Sequence, residues 1–330
     1  MPANAHHSKQ PSQFNQPSQC TEPQPSAPQP LLSDSEFMFY SRQLLLPHWQ
    51  ERDQLCLKQA KVLIIGVGGL GCPVASMLAG LGIGELHLAD PDDIALHNLP
   101  RQSLFSVADV GHNKAQIAAQ HLSQRNPFVR IMSHASHVDP QWLLQFDAAA
   151  GADTPNSKAA PPYFDLIIEL SDDQASKLAI NRYCQQSAVA YAGASAVAHQ
   201  GFSWSFAPWR DPADGCLYCM GFAAPIAEQG CQRHGVFLPL LTQLASLVCQ
   251  QVISLLLRTP NAAAPIFHVQ MPSHHSHPSV RALMLPRDPH CVCCAPNAAG
   301  INTAGINAAA ISESGINASN MEDSCHEYPL

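Results

Sequence analysis

Apolar and polar positions alternate in blocks through the middle of the chain. An apolar run at 62–65 ends in Gly66-x-Gly68-x-x-Gly71; an apolar helical stretch follows, and a second apolar run stops at Asp90. This order predicts a strand, a glycine turn, a helix and a second strand, the opening of a nucleotide-binding βαβ unit. A helix is then expected over 111–125, a short strand over 130–133 and a helix including 142–146. The run FDLIIEL at 164–170 reads as a buried strand ending at Ser171-Asp172-Asp173, followed by a helix over 175–187 and a short strand over 189–191. Segments 201–206 and 266–285 read as antiparallel additions. The pattern predicts an α/β fold: a Rossmann-like doubly wound sheet, mostly parallel, with antiparallel additions. Such sheets bind ligands beyond the carboxyl ends of their strands, and Gly66, Asp90 and Asp172 all fall there.

The pattern fades at both ends. Residues 1–35 are rich in Pro, Gln and Ser, and 296–330 carry a degenerate AGIN repeat with only acidic charges. Neither buries enough apolar surface to offset chain entropy, so both read as disordered tails around one domain at 36–295. Residues 148–162 read as a surface insertion. Residues 236–257 carry no charge and are long enough to span a bilayer. Gln243, Gln250, Gln251 and Pro239 argue instead for a core or interface helix, with no membrane span.

Composition narrows the function. Of 330 residues, 46% are apolar and 13% charged, with net charge −8. No basic run is present, which argues against a nucleic-acid partner. No signal peptide is visible, and a cytoplasmic, reduced protein is expected. Of its 12 cysteines, four form Cys216-x-x-Cys219 and Cys291-x-x-Cys294. These can supply four thiolates to one structural Zn²⁺ that ties distant segments together. A redox pair is the other reading, and Cys293 is a spare thiol in the second pair.

The glycine turn alone fits NAD or ATP. Asp90 or Asp92 can meet a ribose hydroxyl, or cap a turn. Arg101 and Lys114 are two cations close behind, and they suit a triphosphate better than a dinucleotide. Asp172 and Asp173 at a strand end suit Mg²⁺, or a helix N-cap, or one of each. Cys231 precedes Arg233 and His234, which favour thiolate. It reads as a nucleophile or persulfide carrier, or as an exposed loop cysteine.

Together these residues resemble the MoeB/ThiF/HesA family of ubiquitin-activating-enzyme-like adenylyltransferases. The resemblance runs from Phe39 to Cys294. It is carried by Ser41-Arg42-Gln43, GVGGLGC at 66–72 (with Gly69), Asp90-x-Asp92, Asn98-Leu99-x-Arg101-Gln102 and Val110-Gly111-x-x-Lys114. Ser171-Asp172, the two cysteine pairs and Cys231 before Gly235-Val236 continue it. The resemblance implies adenylation by Mg-ATP of the Gly-Gly carboxyl terminus of a small ubiquitin-like sulfur-carrier protein. It implies that Arg101 and Lys114 contact phosphate, Asp90 the ribose and Asp172 the magnesium side. Arg42 then reaches the ATP of the partner subunit in a homodimer, and Cys231 takes the place of a cysteine that forms a covalent sulfur link in thiamine-pathway members. The molybdopterin branch is the first expectation and the thiamine branch the alternative. An NAD-dependent oxidoreductase and a silent scaffold explain fewer of these residues. Pro100, Asp173, the insertion at 148–162 and Lys177, where the family often has arginine, depart from the pattern. No rhodanese-like domain follows Cys294, so a separate persulfide donor is expected.

Overall fold

The computed structural model describes residues 32–151, 162–207, 215–221, 235–259, 266–272 and 277–295. Helices α1 (Asp34–Phe39), α2 (Ser41–Leu44) and α3 (Glu51–Gln59) lead into β1 (Lys61–Ile65). There follow α4 (Gly71–Leu81), β2 (Glu85–Ala89), α5 (Lys114–Arg125), β3 (Arg130–His134), α6 (Pro140–Gly151) and β4 (Leu166–Glu169). Then come α7 (Gln174–Ser187), β5 (Ala190–Val197), β6 (Gln200–Phe206), α8 (Leu238–Leu256), β7 (Ile266–Gln270) and β8 (Ser279–Leu283). A 3-10 turn, Leu96–Arg101, lies between β2 and α5.

The strands form one sheet in the order β3-β2-β1-β4-β5-β6-β7-β8. The pairs from β3 to β5 are parallel and those from β5 to β8 antiparallel, as the alternation predicts. β1 is buried on both faces, which is why it reads as an unbroken apolar run. Val62 and Ile64 join the core formed with α4, α5 and α8. Leu63 and Ile65 join the core formed with α6 and α7.

Several boundaries differ from the sequence reading. α5 starts at Lys114 rather than 111, because Gly111 has φ +89° and the Asn113 side chain caps the helix by accepting from Gln116 N at 3.2 Å. β5 runs to Val197, since it pairs with β6 from Tyr191 to Val197, a long-range partner that local pattern does not reveal. α1 begins inside the segment read as tail. Ser33 and Glu36 form a capping box there, and buried Glu36 pairs with Lys58 at 2.8 Å. Residues 152–161 of the expected insertion lie outside the described residues.

α8 is long and apolar enough to cross a membrane. It packs on β5, β6 and α4, with Leu244 and Val248 wholly buried. Its apolar length serves a core face, in keeping with the core-helix reading.

Candidate active site

The chain leaves β1 in a sharp turn. Gly66 has φ +87° and donates its N–H to Ala89 O at 2.8 Å. A Cβ on Gly66 would lie 2.8 Å from Ser171 N, so the end of β4 is pressed against the turn. A Cβ on Gly71 would lie 2.0 Å from Gly66 O. Both positions require glycine because backbone meets backbone. Gly69 is covered by Leu241 of α8 and by Arg101, whereas Gly68 has only Gln102 Nε2 at 3.8 Å from its Cβ position. No side chain caps α4. In its first turn Cys72 N donates to Gly68 O at 3.0 Å and Pro73 has no N–H, so an anion there would be met by Gly71 and the amides of the glycine turn. β2 lies on one side of β1 and β4 on the other, which places this turn at the point where the strand order reverses.

Asp90 follows β2 and is buried. Its carboxylate accepts from Val67 N at 2.7 Å and Asp92 N at 3.0 Å. Asn113 Nδ2 donates to the carbonyls of Asp90 and Asp92 at 3.0 and 3.1 Å, fastening the start of α5 to this loop. The next residue, Lys114, is thereby carried to the acids. Its Nζ is 2.7 Å from Asp92 and 3.9 Å from Asp90, with only 8% of the side chain exposed. Burial pushes the Asp90 carboxyl above the usual range, while Lys114 and the two amides pull against that rise.

The Leu96–Arg101 turn brings Arg101 against the glycine turn. Its guanidinium donates to His97 O at 2.9 Å and Asn98 Oδ1 at 3.1 Å. Pro100 sits inside this turn without displacing Arg101. Gln102 is buried, and its Oε1 has no hydrogen-bond partner among the described residues.

Across the crevice, Asp173 caps α7 by accepting from Ala175 N at 2.9 Å. Asp172 is exposed and makes no hydrogen bond among the described residues. Of the two acids, the cap falls to Asp173. The sequence reading passed over Glu169. It is wholly buried, pairs with buried Lys177, and accepts from both Ser171 Oγ and Ser171 N, the latter at 3.2 Å. Burial raises its carboxyl, against the pull of Lys177 and Ser171. An acid closing the apolar run Leu166–Ile168 was the available signal, since a buried charge demands a partner.

Two expected site residues remain. Arg42 is exposed on α2, whose Gln43 donates to Leu81 O in the last turn of α4. That is the opposite end of α4 from the glycine turn, about 15 Å along the helix. Arg42 is not brought to this chain's own crevice. Cys231 lies outside the described residues.

The cysteine pairs do meet. The sulfurs of Cys216, Cys219, Cys291 and Cys294 all lie within 4.8 Å of one another. Cys216 and Cys291 are 3.7 Å apart, and Cys219 and Cys294 3.6 Å. A tetrahedral ion with ligands at about 2.3 Å needs sulfurs about 3.8 Å apart, so the set fits a metal. The hydrogen bond from Cys216 holds the Cys219 thiol far below its usual range, and the same contact pushes Cys216 up to about 12. Cys293 is not one of the four; its sulfur accepts from Asn181 Nδ2 at 3.2 Å.

Comparison with known proteins bears on the family and the fold. The chain is 34% identical over 239 residues to "Sulfur carrier protein ThiS adenylyltransferase" of Escherichia coli K12, covering 72% of this chain and 88% of that protein. It is 30% identical to "Molybdopterin-synthase adenylyltransferase" of Salmonella typhimurium, covering 68% of this chain and 84% of that one. It spans only 55% of "Adenylyltransferase and sulfurtransferase uba4" of Aspergillus niger, at 30% identity over 82% of this chain. Among solved structures, Escherichia coli MccB with ATP aligns with a TM-score of 0.62 at 25% identity, covering 80% of this chain and 76% of that one. The family profile described as ThiF matches residues 40–293. The chain belongs to the ThiF family.

Proposed function

We propose that this protein uses Mg-ATP to adenylate the C-terminal Gly-Gly carboxylate of a small ubiquitin-like sulfur carrier, releasing pyrophosphate and preparing the carrier for thiocarboxylation. The carrying observation is the meeting, at the strand-order reversal, of an uncapped helix start, Arg101, Lys114 beside Asp90, and Asp172. The glycine turn cradles the phosphates. Each Asp90 oxygen accepts one backbone N–H and keeps a lone pair, which leaves acceptors for ribose hydroxyls. The carrier carboxylate attacks the α-phosphorus, the bond to pyrophosphate breaks, and the acyl-adenylate forms. Arg101 and Lys114 stabilise the charge that moves onto the phosphates. Asp172 holds the magnesium, which offsets phosphate charge. No protein base is required, because the nucleophile is already ionised at neutral pH.

The four cysteines hold a structural zinc. Arg42 serves the ATP of a second subunit in a homodimer, which explains its place away from this crevice. The protein is cytoplasmic, and a separate persulfide donor supplies sulfur.

The sequence reading put the molybdopterin branch first and the thiamine branch as the alternative; the relatives support the two equally. Relatives named for each are similar to this chain. In the thiamine branch Cys231 forms the covalent sulfur link. ATP–pyrophosphate exchange with purified protein and candidate Gly-Gly carriers tests the reading. Exchange that requires one carrier's free terminal glycine supports adenylation and identifies the branch. Loss of sulfur transfer with intact exchange in Cys231→Ala would favour the thiamine branch. Absence of Mg-ATP binding would overturn the proposal.

A further inference from the structure

One helix touches both the acid turn and the four-cysteine centre. At its start Asp173 caps α7. One turn on, buried Lys177 pairs with Glu169, and Glu169 holds Ser171 by both its N–H and its hydroxyl. A further turn on, Asn181 is 1% exposed and faces both cysteine loops. Its Oδ1 accepts from Leu217 N at 3.2 Å, beside Cys216, and its Nδ2 donates to Cys293 Sγ at 3.2 Å. Cys293 N in turn donates to Cys291 Sγ at 3.4 Å. Lys177 and Asn181 are four residues apart on the buried face of α7, and from the cap at Asp173 to Asn181 the span is about 12 Å. Between these points α7 touches the sheet: Tyr191 OH donates to Lys177 O at 3.2 Å and Lys177 Nζ lies 5.7 Å from the Trp204 ring.

We infer that α7 is a strut by which closure of the four-cysteine centre on a metal positions Ser171-Asp172, through Asn181 and the Lys177–Glu169 pair, and so sets the crevice's affinity for Mg-ATP. The mechanical part stands on the contacts above; the affinity part rests on the proposed function. The physical reason is the cost of a buried amide whose partners separate. With the metal bound, both cysteine loops are held at the spacing that satisfies Asn181. Without it the loops part, and Asn181 either loses a bond or moves α7 to follow one loop. Lys177 and Glu169 are an ion pair with almost no solvent, so they transmit a shift of α7 rather than absorb it. Asn181 and Lys177 are thus positioning residues, with no contact to the reacting atoms.

The test uses the full chain, metal-loaded and metal-depleted, with two readouts. The first is amide hydrogen exchange at Ser171, Asp173 and Ala175, whose N–H groups are bonded within the turn. The second is the Kd for Mg-ATP. Metal depletion is expected to speed exchange at these amides about tenfold and to weaken Mg-ATP about 5- to 20-fold, within the usual range of coupling between sites. By linkage, Mg-ATP then tightens metal binding by the same factor. Asn181→Leu in the metal-loaded protein should speed the same amides while leaving those of α5 unchanged, and should abolish the dependence of Mg-ATP affinity on metal. If depletion unfolds the chain, the metal-loaded Asn181→Leu protein decides the question by exchange alone. Unchanged exchange at the acid turn in that variant would overturn the strut. No Mg-ATP binding to the loaded parent would overturn the nucleotide reading and the affinity part, with exchange still deciding the mechanical part.

Discussion

Lys114→Met isolates the buried charge at the heart of the crevice. The substitution keeps most of the apolar stem and removes the ammonium. What remains is Asp90, buried, with two backbone N–H donors and no adjacent cation. At the 3.9 Å separation and an effective dielectric of about 20, the lost attraction is about 4 kcal/mol. Part returns because the lysine's own desolvation cost also disappears, and Asp92, with 67% of its side chain exposed, is screened by water. A net loss of about 2–3 kcal/mol is expected at pH 8. The deficit must depend on pH. The folded-state carboxyl of Asp90 already lies above its unfolded value near 3.8, so ionisation costs stability as pH rises through that window. Without Lys114 the folded value climbs further. The deficit should therefore be small near the unfolded value, grow as pH rises towards the raised folded value, and level off above it. Urea unfolding of both proteins at pH 5 and pH 8 measures this. A deficit of the same size at both pH values, or none at pH 8, would refute the electrostatic account.

Three further outcomes are expected. Arg101→Ala should slow carrier-dependent exchange by an amount worth about 2–4 kcal/mol while leaving the urea midpoint unchanged; a near-normal rate removes Arg101 from its role. Gly71→Ala should cost more than about 3 kcal/mol in urea unfolding, because its Cβ falls 2.0 Å from Gly66 O, whereas Gly68→Ala should stay within about 1 kcal/mol. Equal midpoints for the two variants would contradict the turn geometry. Elemental analysis should find one zinc per chain, lost in Cys219→Ser with a lower Tm, and purified protein without stoichiometric metal would break the four-thiolate assignment.

Legibility in the sequence tracked the range of the interaction. Gly66, Gly71, Asp90 and Lys114 stood out because a tight turn, a strand end and a helix start each leave a local signature. The capping box at Ser33 and Glu36 was equally local and was overlooked. Glu169 and Lys177 were harder, since eight residues and a strand-to-helix change separate two partners that meet only after folding. Asp172 and Asp173 look interchangeable in sequence; the path of the chain into α7 assigns the cap to Asp173.

By itself, the sequence determined the parallel βαβ core, the glycine turn and the pairing of the cysteines into one candidate metal set. Periodicity and backbone geometry act over a few residues and leave a pattern that can be read without the fold. Only the tertiary structure decided that Asn113 carries Lys114 to Asp90, that α8 covers the glycine turn, and that Asn181 joins α7 to both cysteine loops. Those contacts link segments far apart in the chain. Burial and hydrogen-bond geometry select them, and neither exists until the sheet has assembled.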